Sequence, residues 1–302
     1  MPNVKPEVEI PPKVDVNWRE LIKAAEQLRK FRDSPFTEQH IAPEIHLNVD
    51  KPIAVCFSAD WHLGSGATDH TAWKKDIEYL LDTDGLYYAV LGDESDNVLS
   101  FKTLSMVMEQ VLPVDLQVKT IEGVTMELVA KNKLLFTTWS NHRDEFDERL
   151  IGRSMLEHLR QQQGVPHLAG MGVVRLYVGQ QMYTILATHK ARYNSYIHAL
   201  HGAKRLYQIV FPGDVVAVAH THQPGHEEYN HYELARKIGL PFGGTSWLVA
   251  CSSYKSEDRF SQRYFGFTPL MLETVVFWPN ERKMECYSSA KQAIDRIRGR
   301  KG

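Results

Sequence analysis

Five short apolar runs, each followed within a few residues by an aspartate, asparagine or histidine, constrain this chain more than any other feature. Ile53–Phe57 leads into Asp60 and His62, Leu86–Leu91 into Asp93 and Asp96, and Leu134–Trp139 into Asn141 and His142. Met182–Ala187 leads into His189, and Val215–Ala219 into His220 and His222. Short apolar runs rich in β-branched and aromatic residues, bounded by turn formers, read as buried strands. Between them, Thr71–Leu81 (Trp73, Ile77, Leu80, Leu81) and Glu145–Gln163 (Phe146, Leu150, Met155, Leu159) have helical spacing. Phe101–Ala130 reads as helical with a break at Pro113. Strands alternating with helices imply an α/β layered domain, in which the loops beyond the carboxyl ends of the strands converge on one crevice.

The flanks differ in character. Pro2, Pro6, Pro11 and Pro12 rule out a regular helix over residues 1–15, which read as a flexible arm. Residues 16–50 form an N-terminal helical extension, in which Trp18, Leu21, Ile22, Ala25, Leu28 and Phe31 recur at amphipathic spacing until Pro35, with a covering role over a core expected for that face. The main domain is expected over residues 51–287, ending in an aromatic stretch with a strand-like run at Glu273–Trp278. Residues 288–302 read as a basic C-terminal helix and tail carrying Arg296, Arg298, Arg300 and Lys301.

Composition excludes several classes. With 35 Lys+Arg against 37 Asp+Glu, the chain has no basic coat for nucleic acid, so an anionic partner must be held locally. Cys56, Cys251 and Cys286 are far apart with no CxxC pair, which argues against a disulfide framework and a thiolate zinc site, and for a reducing compartment. No apolar run approaches ~18 residues, and the N-terminus lacks the apolar centre of a signal peptide, so a cytoplasmic protein without a membrane partner is expected.

Taken singly, the strand-end residues have ordinary explanations: Gly92-Asp93 suits a turn, Asn141 a helix cap, and a lone His189 a hydrogen-bonded core position. His220-Thr221-His222 is more pointed, because alternate residues of an extended chain share a face. Jointly, Asp60, His62, Asp93, Asn141, His189, His220 and His222 mix oxygen and imidazole donors without a thiolate, a set suited to Mn²⁺, with Fe²⁺, Zn²⁺ or Ni²⁺ as alternatives. Seven ligands exceed the needs of one tetrahedral ion and suit two ions sharing a carboxylate, the arrangement that handles phosphoryl displacement.

Asp60-x-His62, Gly92-Asp93-x-x-Asp96-Asn97, Asn141-His142, His189 and His220-x-His222 resemble, in order, the five motifs of the calcineurin-like metallophosphoesterase superfamily over about Pro52 to Gly225. The resemblance implies an α/β fold of two facing mixed β-sheets flanked by helices, a four-layer sandwich. It implies a first metal held by Asp60, His62 and His222, a second by Asn141, His189 and His220, and Asp93 as the bridge. It would also make His142 a general acid with Asp96 orienting its imidazole.

The family usually has glycine where this chain has Ser140 and Ala219, an acidic residue at Arg143, and, in members acting on phosphoproteins, arginine at Asn97. These departures favour a phosphodiester substrate, nucleic acid among the candidates, over a phosphoprotein. A phosphomonoesterase and a noncatalytic adaptor with a structural metal site remain alternatives. Arg143, Lys190 and Arg192 lie within three residues of expected ligands and are candidates to grip a substrate phosphate, with Trp61 and Tyr193 as candidate base-stacking residues. His226 and His231 read as surface loop residues, and His198 and His201 as parts of a helical pattern.

Overall fold

The computed structural model describes residues 18–33, 42–97, 109–152, 154–192, 194–195, 198–230, 245–255 and 269–299. The chain divides into two units, Met1–Ile41 and Ala42–Gly302. The first contains helix α1 (Trp18–Asp33), on which Ile22 and Ala25, members of the face expected to pack, are exposed.

The second unit is built on two six-stranded mixed sheets. One has the order β12 (Met284–Tyr287), β11 (Thr274–Phe277), β2 (Ile53–Ser58), β3 (Leu86–Val90), β4 (Leu134–Thr138), β5 (His167–Leu168), with β2 through β5 parallel and β11 antiparallel to both its neighbours. The other runs β1 (Glu44–Leu47), β6 (Gly172–Val178), β7 (Gln181–Thr188), β8 (Val215–Val218), β10 (Thr245–Ala250), β9 (Gly225–Asn230). Within it β7, β8 and β10 are parallel, while β9 returns antiparallel along β10.

Both faces of the central strands are buried, which is why they read as unbroken apolar runs. Ile53, Val55 and Phe57 of β2 face the second sheet and pack with Val174, Leu176, Ile185 and Val215. Ala54 and Cys56 face the other way, against Trp73 and Ile77 of α2 (His70–Asp82), Ile121 and Leu128 of α3 (Val114–Ala130), and a helix near the C-terminus. On the second sheet, Val216, Val218 and Leu248 pack against Leu206 and Tyr207 of the helix His201–Ile209. The order helix, sheet, sheet, helix is the four-layer α/β arrangement expected, and burying each large apolar side chain contributes about 1.5–3 kcal/mol.

Several boundaries differ from expectation. β1, placed by sequence in the extension, pairs in parallel with β6, because Ile45 and Leu47 pack against the core between the sheets. The single helix expected over Glu145–Gln163 is two, α4 (Asp144–Ile151) and α5 (Met155–Gln162). Gly152 adopts φ 76° and its N–H donates to the Glu148 carbonyl, closing α4, while Ser154 Oγ accepts from the Glu157 N–H at the start of α5. Numbering in chain order makes His201–Ile209 α6 and Ala290–Ile297 α7. α7 is no detached tail: Ala290, Ala293 and Ile294 are buried in the outer core of the first sheet. The helix expected from Phe101 begins, among the described residues, at Val114, directly after Pro113; residues 101–108 lie outside them.

Candidate metal centre

The strands β2, β3 and β4 are parallel in one sheet, and β7 and β8 are parallel in the other, so five strand ends deliver their loops to one cluster. The turns that leave them are backbone-strained. Asp60 (φ 51°), His62 (46°), Asp93 (53°), His220 (74°) and His222 (59°) all occupy the left-handed region. Asp, Asn and His tolerate that region better than other non-glycine residues, yet each instance costs on the order of 1–3 kcal/mol and persists only when its surroundings hold it. Here they do: Asp60 N–H donates to the Gly92 carbonyl (3.1 Å), His62 N–H to the Asp93 carbonyl (3.0 Å), and His220 N–H to Asp60 Oδ2 (3.0 Å). Gly92 itself must be glycine, since at φ 83° a Cβ would stand 2.6 Å from the Trp139 carbonyl oxygen and 3.1 Å from the His189 ring.

The ligand-type side chains fall into two adjoining groups. Asp60, His62 and His222 form one, and Asp93, His189 and His220 the other, with donor atoms within 4.8 Å of one another in each. Asn141 joins the second through Oδ1, 2.8 Å from His189 Nε2. Asp93 also groups with His62 and His142, which places its carboxylate between the two sets.

Ring orientation shows what these groups are arranged to receive. His189 Nδ1–H donates to the Leu91 carbonyl (2.7 Å), so in the neutral ring Nε2 presents a lone pair to Asn141 Oδ1 and to Asp93 Oδ2 (3.0 Å). His62 Nδ1 is bonded to Asp96 Oδ1 (3.1 Å), turning its Nε2 toward His222 Nε2 (3.2 Å) and Asp60 Oδ1 (3.7 Å). Asp60 Oδ1 is buried with no hydrogen-bond partner, and lies 3.3 Å from His222 Nε2. Acceptors facing acceptors need a cation between them. Without a metal that cation is a proton: burial opposes it, but Asp60 and Asp96 raise His62 to about 9, and against the same burial Asp93 raises His189 to about 9. Burial alone would raise the Asp60 and Asp93 carboxyls, but the imidazoles around them hold both below the usual range. Burial and the neighbouring His189 push His220 down to about 4, the Lys190 charge adding to the effect. The donor set, the orphaned oxygen and the inward-facing Nε2 atoms fit divalent metal binding.

Asp96 is placed differently from expectation. His142 Nδ1–H donates to the backbone carbonyl of Asp96 (2.6 Å), whereas the Asp96 carboxylate serves His62 and the buried ammonium of Lys255 (2.9 Å). The loop after β3 bends the carbonyl and the carboxylate of one residue toward two different histidines. Lys255, 159 residues away in sequence, has no motif that would have singled it out. The substitutions at glycine and arginine positions of the resembled pattern also have contacts. Ser140 Oγ–H donates to Asp93 Oδ1 (2.6 Å), and Asn97 Nδ2–H to the His142 carbonyl (2.7 Å).

Of the expected substrate contacts, Arg143 is turned to Asp147 (Nε to Oδ2, 3.0 Å), while Lys190 and Arg192 are exposed. These two line a cavity of about 470 Å³ together with Trp139, Met171, Thr188 and Leu206, beside the loops that carry Asn141 and His189. Trp61 is no stacking platform: it is 1% exposed, its Nε1–H donates to Ser58 Oγ, and its ring packs on Trp73 and Tyr88. Tyr193 and His231 lie outside the described residues, and His198 and His201 are exposed. His226, expected in a loop, is on β9 with its ring against Glu273.

No protein-family model and no curated protein matches the chain. Among solved structures it is similar to Vps29 from Entamoeba histolytica complexed with zinc, at 10% identity and a TM-score of 0.34, covering 78% of this chain and 97% of that one. It is also similar to Vps29 from Chaetomium thermophilum (13%, TM-score 0.34, 74% and 78% covered) and to the hypothetical protein PH1004 from Pyrococcus horikoshii (12%, TM-score 0.33, 82% and 92% covered).

Proposed function

We propose that this chain is a dinuclear-metal-dependent phosphoesterase of the calcineurin-like type that hydrolyses phosphodiesters, nucleic acid among them. The observation that carries the reading is the pair of ligand groups meeting at Asp93, each with a histidine whose Nδ1 is tied to a fixed acceptor and whose Nε2 faces the group. Such outer hydrogen bonds are the usual support of a metal-binding imidazole. Two divalent ions, Mn²⁺ by preference, would supply Lewis acidity for a water nucleophile and for the phosphoryl oxygens. Asp93 would be the carboxylate shared by the two ions; the Ser140 hydroxyl and the His142 N–H (3.1 Å) fix its Oδ1 and leave Oδ2 toward His189.

In this reading His142 moves the proton. Its Nδ1–H is committed to the Asp96 carbonyl, so only Nε2, 3.8 Å from Asp93 Oδ2, can give a proton to a departing oxygen. Burial lowers its pKa against the opposing pull of the Asp93 charge. The neighbouring cavity, apolar at Trp139, Met171 and Leu206 and lined by Lys190 and Arg192 as well as by Glu148, offers room for the second ester arm that a diester has and a monoester lacks. Asn97, in the place of an arginine in phosphoprotein-directed relatives, is spent on holding the His142 backbone. Free buried cysteines accord with a reducing, cytoplasmic setting, and among the described residues no helix is long and apolar enough to cross a membrane.

The test is turnover of bis(nitrophenyl) phosphate, nitrophenyl phosphate, and single- and double-stranded DNA, with Mn²⁺ and with chelator. We expect metal-dependent hydrolysis with kcat/KM greater for the diester than the monoester. Full activity in metal-free protein would overturn the dinuclear reading, and a monoester preference would overturn the diester assignment.

A further inference from the structure

Away from the strand-end cluster, three ligand-type side chains meet where the two sheets present their edges. His226 is on β9, the edge strand of one sheet; Cys286 is on β12, the edge strand of the other; Glu273 immediately precedes β11. One ligand atom from each lies within 4.8 Å of the other two. His226 Nδ1 is 2.5 Å from Glu273 Oε2, and the His226 ring leans on Trp247 with centroids 5.7 Å apart. Glu273 is fully buried, and its backbone is held by the Phe57 N–H, which donates to its carbonyl (2.9 Å).

As a simple histidine–carboxylate pair this arrangement is incomplete. Glu273 Oε1 is buried and has no hydrogen-bond partner, a costly state for a carboxylate oxygen in an apolar interior. The thiol of Cys286 stands beside that charge. Burial pushes the thiol well above its ordinary value and the Glu273 charge adds to the effect, so without a metal it is a neutral thiol. A divalent cation bound by the three would offset the buried Glu273 carboxylate and replace the thiol proton, which leaves to solvent.

We propose that His226, Glu273 and Cys286 form a third divalent-metal site, built for zinc and tying the edge of one sheet to the edge of the other. One thiolate, one imidazole and one carboxylate match zinc's usual ligands and leave a fourth tetrahedral position for water. The strand-end set has no thiolate and more oxygen donors, so the two centres differ in the metal they prefer. Spacing alone argued against a thiolate zinc site, because the fold, not a short motif, brings the three residues together from positions 226, 273 and 286. The consequence for the catalytic loops is mechanical. β9 begins three residues after His222, so an ion clamping His226 to the first sheet anchors the chain that leaves the His220-Thr221-His222 turn.

The test uses the full chain and cobalt alone as the probe. A thiolate bound to Co²⁺ gives a ligand-to-metal charge-transfer band in the near ultraviolet, which oxygen and imidazole ligands do not. The wild-type chain should show that band on titration with Co²⁺. Cys286→Ser and His226→Ala should each abolish it, while Cys56→Ala and Cys251→Ala should keep it. In zinc-loaded protein measured by elemental analysis, Cys286→Ser should lose one equivalent relative to wild type. His226 is 23% exposed at its side chain on an edge strand, so His226→Ala carries the test if Cys286→Ser fails to fold. No band in folded wild-type protein with excess Co²⁺ would overturn the site, as would a band that survives both substitutions.

Discussion

The Asp96 carboxylate lies 3.1 Å from His62 Nδ1, with only 2% and 3% of the two side chains exposed, and this pairing decides which way the His62 ring faces. Asp96 would therefore act on a metal held by His62 through that ring, and it meets His142 only through its backbone. Asp96→Ala should weaken divalent-metal affinity by about 10–100-fold, the usual effect of losing such an outer partner. It should leave the dependence of rate on leaving group unchanged. Competition with a chelating dye measures the first and a series of aryl and alkyl esters the second. Normal metal affinity with selective loss on alkyl esters would return the carboxylate to His142.

Metal should stabilise the fold as well as activate it. Asp60 Oδ1 is buried with no hydrogen-bond partner, and His189 Nε2 stands 3.0 Å from Asp93 Oδ2, so a bound cation adds contacts to both groups. At a Mn²⁺ concentration one hundred times Kd, linkage gives about 2.7 kcal/mol of added stability. Thermal unfolding with and without Mn²⁺ should show an upward shift that Asp93→Asn largely removes, because Asp93 belongs to two of the ligand groups. An undiminished shift in Asp93→Asn would mean that the carboxylate is not shared.

Asp144 offers a pH test independent of the metals. It is buried, it accepts from Ser140 N–H (2.6 Å) and the Ser154 hydroxyl, and burial together with the Glu94 charge raises it from 3.8 to about 7. A folded-state pKa above the unfolded one means that the native chain holds the proton longer. The stability from the neutral carboxyl is present in full below about pH 4. It is lost as pH rises toward 7, at up to about 1.4 kcal/mol per pH unit. In chelator, Asp144→Asn should lack this slope, so the wild type loses ground to the variant between pH 4 and 7 by denaturant unfolding. A difference that is flat with pH would refute the raised pKa.

How much of this was legible in the sequence depended on the kind of contact. The five strand ends stood out because both faces of β2, β3, β4, β7 and β8 are covered, which produces apolar runs, and because Asp and His are tolerated at the positive φ of the turns that follow. β9, with the sequence GHEEYN, is a polar edge strand and carries no such signal. β1 was hidden by its four-residue length and half-exposed faces. Trp61, flanked by Asp60 and His62, read as a loop aromatic, but the strained turn points it inward between Trp73 and Tyr88. The partners of Asp96 and the gathering of His226, Glu273 and Cys286 are long-range products of sheet packing, which no local pattern encodes.

His142 tests whether the site protonates its leaving group. Its Nδ1–H is fixed on the Asp96 carbonyl, so the ring has one free nitrogen, and that nitrogen faces Asp93 Oδ2 across 3.8 Å. In an in-line displacement the departing oxygen must receive either a metal or a proton, and general acid help of this kind is worth ~10²–10⁴-fold. The benefit scales with the basicity of what leaves. A nitrophenolate is stable as an anion and gains little, whereas a sugar alkoxide is strongly basic and gains much. His142→Ala should therefore keep its metals, lose about tenfold or less on nitrophenyl esters, and lose ~10²-fold or more on nucleotide or alkyl esters. Because His142 also lies within ligand reach of His62 and Asp93, metal content must be measured on the same sample. A missing equivalent of metal would assign His142 to the ligand set, and equal losses on both ester types with full metal content would leave it binding the substrate phosphate without donating a proton.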